Sequence, residues 1–119
     1  MAELFVTREN GIAIVDFQEK EILDIAKSKA IGDKLCAIVD QGDDSNLLID
    51  FRFLRLMTSS MIGEFLQLRK KCNESQINLK FCALSNELAD LLKKLKLDKV
   101  FEIYKSRELA VKAFMKNKS

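Results

Sequence analysis

The sequence predicts a single α/β domain: a mixed, mostly parallel sheet of about five strands, opened by an antiparallel hairpin, with helices packed mainly on one face. Three observations lead there. Apolar residues recur with period two in some segments and near 3.6 in others, and the two kinds of segment alternate along the chain. Strands separated by helices return to a parallel sheet through right-handed crossovers. The 119 residues include no proline and no low-complexity stretch, so nothing marks a linker, and one domain over residues 1–119 is expected.

The elements follow in order. "ELFVTRENGIAIVDF" reads as two short strands around Asn10-Gly11, a pair that favours a tight hairpin turn. "EILD", Glu21 to Asp24, is a brief extended piece. From about Ala26 to Gln41, Ile31, Leu35, Ile38 and Val39 recur at helical spacing, and Gly42 with Asp43 and Asp44 ends that helix. "NLLIDF", Asn46 to Phe51, is a nearly continuous apolar run, the pattern of a central strand buried on both faces. After the loop "RFLRLM", Met61, Phe65, Leu68 and Cys72 form one helical stripe, widened by Ile62 and Leu66. "INLKFCAL" alternates Ile77, Leu79, Phe81 and Ala83 inward against Asn78, Lys80 and Cys82. Leu88, Leu91, Leu92 and Leu95 make a third helix with Ser85 or Asn86 as its N-cap. "VFEIYK" is a last short strand. Ser106 then caps a final helix that starts at Arg107 and Glu108 and carries Leu109, Ala110, Ala113 and Phe114.

Composition narrows the function. With 48% hydrophobic and 32% charged residues the chain has the balance of a folded soluble domain rather than a disordered one. No apolar run approaches the roughly 20 residues that span a bilayer, and "MAELFVTREN" lacks the features of a signal peptide, so a cytoplasmic location is expected. Cys36, Cys72 and Cys82 are an odd set without C-x-x-C spacing, and there is no histidine. Zinc-finger patterns and Cys-His or Ser-His nucleophiles are thereby excluded, and the thiols read as core or half-buried groups. Without histidine the commonest general base is also missing, so no catalytic residue, no cofactor and no enzymatic activity is predicted. Asp40, Asp43, Asp44 and Asp50 are the nearest approach to a metal cluster, yet Asp43 and Asp44 read as turn residues, and no metal site is predicted. A net charge of +2 is too small for a nucleic-acid footprint. The lysines of "LRKKC" and "LLKKLKLDK" lie on the polar sides of amphipathic helices. Neither nucleic acid nor membrane is expected as a partner, and the oligomeric state reads as monomer or weak homodimer.

The residues that point towards a function are Thr58, Ser59 and Ser60, in "RLMTSSMIGEF". They follow the central strand by a short loop and open a helix, and sites in open α/β sheets gather at the carboxyl ends of such strands. A helix start leaves backbone N–H groups unpaired and carries positive partial charge, which stabilises a phosphate by a fraction to about 2 kcal/mol. Phosphorylation there changes the local charge by roughly −1.5 to −2 at pH 7. The same hydroxyls also suit a plain helix cap. The residues by themselves leave both readings open.

The succession "NLLIDFRFLRLMTSSMIGEFLQLRKKC…INLKFCALSNELADLLKKLKLDKVFEIYKSRELAVKAF" resembles the STAS domain, as in bacterial anti-sigma factor antagonists. The similarity runs over nearly the whole chain and is best from Asn46 to Phe114. Asp50 matches the Asp that ends the family's buried strand. Thr58 to Gly63 matches Asp-Ser-Ser-Gly-hydrophobic-Gly, and "LKLDKVFEIYKSRELAVKAF" matches the tail. "EILD" resembles the turn that helps form the family's partner-binding surface. The resemblance implies a protein switch with no chemistry of its own. The first serine of the pair is phosphorylated by a kinase-like anti-sigma factor, a PP2C-type phosphatase removes the phosphate, and the unmodified protein binds the anti-sigma factor and frees the sigma factor. It puts the phosphoacceptor on Ser59, with Ser60 and Thr58 as alternatives. The implied partner-binding surface comprises Leu23, Asp24, Thr58, Ser59, Ser60, Met61 and Ile62. Two positions depart from the pattern: Thr58 stands for the family's Asp, and Met61 for the Gly after the serine pair. They support a second expectation, a constitutive STAS scaffold or adaptor in a signalling or transport assembly, without a phosphorylation cycle.

Overall fold

The computed structural model describes residues 4–116. They form β1 (Leu4–Glu9), β2 (Ile12–Phe17), β3 (Glu21–Ile22), α1 (Ile25–Gln41), β4 (Asn46–Asp50), β5 (Leu56–Met57), α2 (Ser59–Glu74), β6 (Asn78–Cys82), α3 (Asn86–Lys94), β7 (Ile103–Tyr104) and α4 (Arg107–Lys116). The hairpin closes where Asn10 and Gly11 both take left-handed backbone angles, φ 55° and 76°, as a two-residue turn between right-twisted strands requires. β1 pairs antiparallel with β2, and β2, β4, β6 and β7 continue in parallel, giving the order β1-β2-β4-β6-β7. The predicted mixed sheet of five strands is therefore present. β3 and β5 form a separate two-stranded parallel ribbon beside it, which the sequence pattern did not reveal.

Helix boundaries follow local chemistry. Asp24 caps α1 through its carboxylate, which accepts from Lys27 N at 2.6 Å. Gly42, left-handed at φ 70°, ends the helix by donating its N–H to Val39 O. Ser85 Oγ accepts from Leu88 N to start α3, and Ser106 Oγ accepts from Leu109 N to start α4, each at 3.2 Å. Leu66 and Leu95, assigned to apolar helix stripes by spacing, are instead exposed, and Leu95 lies just past the end of α3.

The main core lies between the sheet and three helices. Val15, Phe17, Leu47 and Ile49 meet Ile31 and Leu35 of α1, Phe65 and Leu68 of α2, and Leu88 and Leu92 of α3. Within it the rings of Phe17, Phe65 and Phe81 surround Phe51 at centroid distances of 5.4, 5.3 and 4.9 Å, and Phe101 stacks on Phe81 at 4.5 Å. α4 covers the opposite face, where Ala110 and Phe114 pack on Ile12, Ile14, Leu48 and Cys82. That second cover corrects the reading of β6. Lys80 and Cys82, expected to face outward, are 3% and 0% exposed. The Lys80 ammonium meets the Glu102 carboxylate and lies 4.9 Å from the centre of the Phe114 ring, which compensates the charge it carries inward. Ala83, expected inward, comes after the strand ends, at φ 61°, and packs against the α4 side.

Candidate functional site

The loop after β4 carries the three hydroxyls to their place. Leu54 is buried and its N–H donates to Phe51 O, turning the chain back. Arg55 N and Leu56 N both donate to Lys20 O, at 2.7 and 3.2 Å, and Glu21 and Ile22 then pair with Leu56 and Met57. Thr58 N donates to Ile22 O at 3.1 Å. The parallel ribbon of β3 and β5 thus delivers two helix starts side by side: Leu23 and Asp24 lead into α1, while Thr58 leads into α2 at Ser59. Short strands make this junction, and the buried side chains of Ile22 and Met57 anchor it to the core.

The two starts are finished differently. α1 is closed by the Asp24 carboxylate. Thr58 occupies the N-cap position of α2, and its carbonyl accepts from Met61 N and Ile62 N, yet its side chain makes no capping hydrogen bond. Thr58 Oγ1 is buried and has no hydrogen-bond partner among the described residues. The side-chain cap that the hydroxyl cluster allowed is therefore not formed. Ser59 is exposed, Ser60 half-buried. The surface expected around the serine divides as well. Leu23 (57% exposed), Asp24 and Ser59 are open to solvent, with Ile25 beside them at 74%. Met61 and Ile62 are 0% and 4% exposed, because the stripe that carries Phe65 and Leu68 turns them into the core. As expected contact residues these two are corrected: they anchor α2 and offer no surface.

A second polar feature lies at the carboxyl ends of β2 and β4. Arg107, the first residue of α4, donates from Nη2 to both carboxylate oxygens of Asp16, at 2.8 and 2.7 Å, and from Nε to Asp50 Oδ2 at 2.9 Å. The other Asp50 oxygen accepts from Arg52 N at 2.9 Å. Partial burial disfavours the guanidinium charge, but the hydrogen bonds to Asp16 and Asp50 outweigh it and hold its pKa above the ordinary arginine value. Sequence reading noted Asp50 and Arg107 separately and missed Asp16; the separation of 91 positions between Asp16 and Arg107 leaves no local signal of the clasp. Among the described residues, no group of three or more Cys, Asp or Glu is arranged to hold a metal ion. Asp44 accepts from Arg8 Nε at 3.1 Å.

The family model of the STAS domain matches residues 4–110. The chain belongs to the STAS domain family. Its fold recurs in solved STAS domains. An anti-sigma-factor antagonist (STAS) domain protein from Planctomyces limnophilus is 22% identical with a TM-score of 0.83, over 92% of this chain and 96% of that one. An anti-sigma factor antagonist from Mycobacterium paratuberculosis is 19% identical with a TM-score of 0.82, over 95% and 93%. The Bacillus cell fate determinant SpoIIAA in its phosphorylated form is 15% identical with a TM-score of 0.71, over 96% and 99%. At these identities the likeness is one of fold. Among curated proteins none matches the chain. No helix among the described residues of this STAS domain is long and apolar enough to cross a membrane.

Proposed function

We propose that this STAS domain is an anti-sigma factor antagonist, switched by reversible phosphorylation of Ser59. The observation that carries the reading is the division of the three hydroxyls. Ser59 alone is exposed, at a helix start that no side chain caps, while the Thr58 oxygen is buried. A phosphate on Ser59 would meet unpaired backbone N–H groups and the positive end of a 16-residue helix. It would also bring about two negative charges to the surface formed by Leu23, Ile25 and Asp24, enough to expel a docked partner without disturbing the core. The partner is a kinase-type anti-sigma factor that also delivers the phosphate, a PP2C-type phosphatase removes it, and the setting is the cytoplasm. The protein itself does no chemistry.

The test is incubation with such a kinase and ATP, followed by peptide mapping and binding assays. Phosphate should appear on Ser59 and be absent from Ser59→Ala, and Ser59→Asp should weaken partner binding by about tenfold or more. Phosphate on Ser60 or Thr58 instead would overturn the assignment to Ser59, and none on residues 58–60 would overturn the switch. One observation favours a second reading, a constitutive scaffold or adaptor. The first turn of α2 has no acidic residue, and Thr58 stands where the family pattern has Asp. Under that reading Ser59→Asp binds its partner as tightly as the unaltered protein.

A further inference from the structure

Among the described residues β1 is an edge strand, paired on one side only, and the backbone N–H and C=O groups along its other side have no neighbour in the sheet. Phe5 and Thr7 lie opposite Asp16 and Ile14 in the register, which puts them on the sheet face that α4 covers. α4, however, packs mainly over β4, β6 and β7 and on Ile12 and Ile14 of β2, and Phe5 and Thr7 are left exposed. The uncovered strip becomes a cleft of about 970 Å³, walled on the far side by the loop after β4. Phe5 and Phe53 offer large apolar surfaces to it, 62% and 50% exposed. The Arg52 guanidinium lies 4.6 Å above the centre of the Phe53 ring, making a flat cationic wall.

The charge of the lining is one-sided. Lys20, Arg52 and Arg55 contribute three cations, and among the described residues none of them pairs with a carboxylate. The acid in the lining, Asp16, has both oxygens taken by Arg107. An edge strand left bare normally carries its own protection, a charge pointing at the incoming chain or a proline. Here the charged residues Arg8 and Glu9 sit at the hairpin end, and the stretch from Leu4 to Thr7 has none. A row of backbone groups that the free protein leaves to water is a template for another strand, whereas a compact anion would use the cations and leave the edge open.

From this juxtaposition we infer a second docking site, distinct from Ser59: an extended acidic peptide segment of another protein adds to the β1 edge. Its carboxylates face Lys20, Arg52 and Arg55, and its apolar side chains rest on Phe5 and Phe53. Backbone pairing supplies the geometry, and the three cations supply the preference for acidic sequence.

The experiment uses the full chain and a fluorescein-labelled ten-residue peptide of alternating Glu and Val, read by fluorescence polarisation at roughly 0.01 M salt, where exposed charges act over about 30 Å. Binding should weaken by about tenfold or more for Arg52→Glu with Arg55→Glu, and equally on raising the salt to roughly 0.15 M. A Lys-Val peptide, and the Glu-Val peptide N-methylated at every second backbone nitrogen, should not bind. Amide exchange in β1 should slow on binding. The exposed positions of Arg52 and Arg55 keep the charge-reversed protein folded, which circular dichroism verifies. Equal binding of the N-methylated peptide, or displacement of the probe by phenyl phosphate without slowed exchange in β1, would make this a small-anion cleft and overturn strand addition. Unchanged affinity in the charge-reversed protein would overturn the charge preference.

Discussion

Thr58 is the residue where a sequence expectation and the structure part most sharply. It stands at an N-cap position, where a hydroxyl ordinarily contributes about 1 kcal/mol, but its oxygen is buried and unbonded. A buried hydroxyl without a partner costs stability, so Thr58→Val, which keeps the shape and removes the oxygen, should leave the protein equally stable or stabilise it by up to about 1 kcal/mol in urea unfolding. A loss of about 1 kcal/mol would mean that the hydroxyl does cap α2 in solution. The opposite sign holds at Arg107. Its removal strands the Asp50 carboxylate, which is 2% exposed, and takes both hydrogen bonds from Asp16. Arg107→Ala should cost about 3 kcal/mol, the low end for a broken buried pair because the guanidinium is 31% exposed. Arg107→Lys should recover only part, since a point charge cannot reach two carboxylates in the fixed fork that a guanidinium presents. An Arg107→Lys variant as stable as the unaltered protein would show that the fork geometry contributes nothing.

At the scale of elements, α2 contains a glycine whose cost is visible. Gly63 lies in the helix interior, and a Cβ built on it finds no atom within 4 Å. Glycine at such a position costs roughly 0.5–1 kcal/mol relative to alanine, so Gly63→Ala should raise stability by about that amount. The gain should appear as a higher urea midpoint at an unchanged m-value. Gly63 lies four residues after Ser59 on the helix, and it leaves open space on that face. Long periodic segments such as α1 and the hairpin were legible in the sequence, because their patterns repeat often enough to outweigh noise and their ends carry Asn10-Gly11 or Gly42. Glu21 and Ile22 were read as extended, but β5 and its pairing with β3 were not legible, because two residues have no period and the pairing joins positions 35 residues apart. Lys80 and Cys82 misled for a related reason. Their alternation described one buried face correctly, and nothing local to β6 announces that α4 covers the other. The start of α2 was legible in place but not in detail: Ser59 opens the helix as expected, while the inward turn of Met61, Ile62 and the Thr58 oxygen depends on how α2 is rotated against the sheet.

Across the whole molecule, burial on both sheet faces couples folding to alkaline pH. Cys72, in the main core, and Cys82, under α4, are both 0% exposed. Burial pushes the Cys72 thiol up to about 11. Burial, reinforced by the Asp50 carboxylate, pushes that of Cys82 to about 12. In the unfolded chain a thiol ionises near about 8.5. Below that pH both states hold the protons and the thiols add no pH dependence. Above it the unfolded chain releases them while the folded chain keeps them, so unfolding is favoured increasingly until the folded values are reached, by up to about 1.4 kcal/mol per pH unit for each thiol. With no histidine in the sequence, no imidazole titration complicates the neutral range. The urea midpoint should therefore hold steady up to pH ~8 and fall between pH ~9 and ~10. Cys72→Ala with Cys82→Ala should be less stable at pH ~7, because cavities replace the buried sulfurs, and should show a flatter decline above pH ~9. In parallel, a disulfide reagent at pH ~8 should modify only the half-buried Cys36 in the native protein and all three cysteines in urea. Equal slopes for the two proteins, or rapid reaction of all three thiols without urea, would show that the faces under α2 and α4 open to water far more readily than their packing implies.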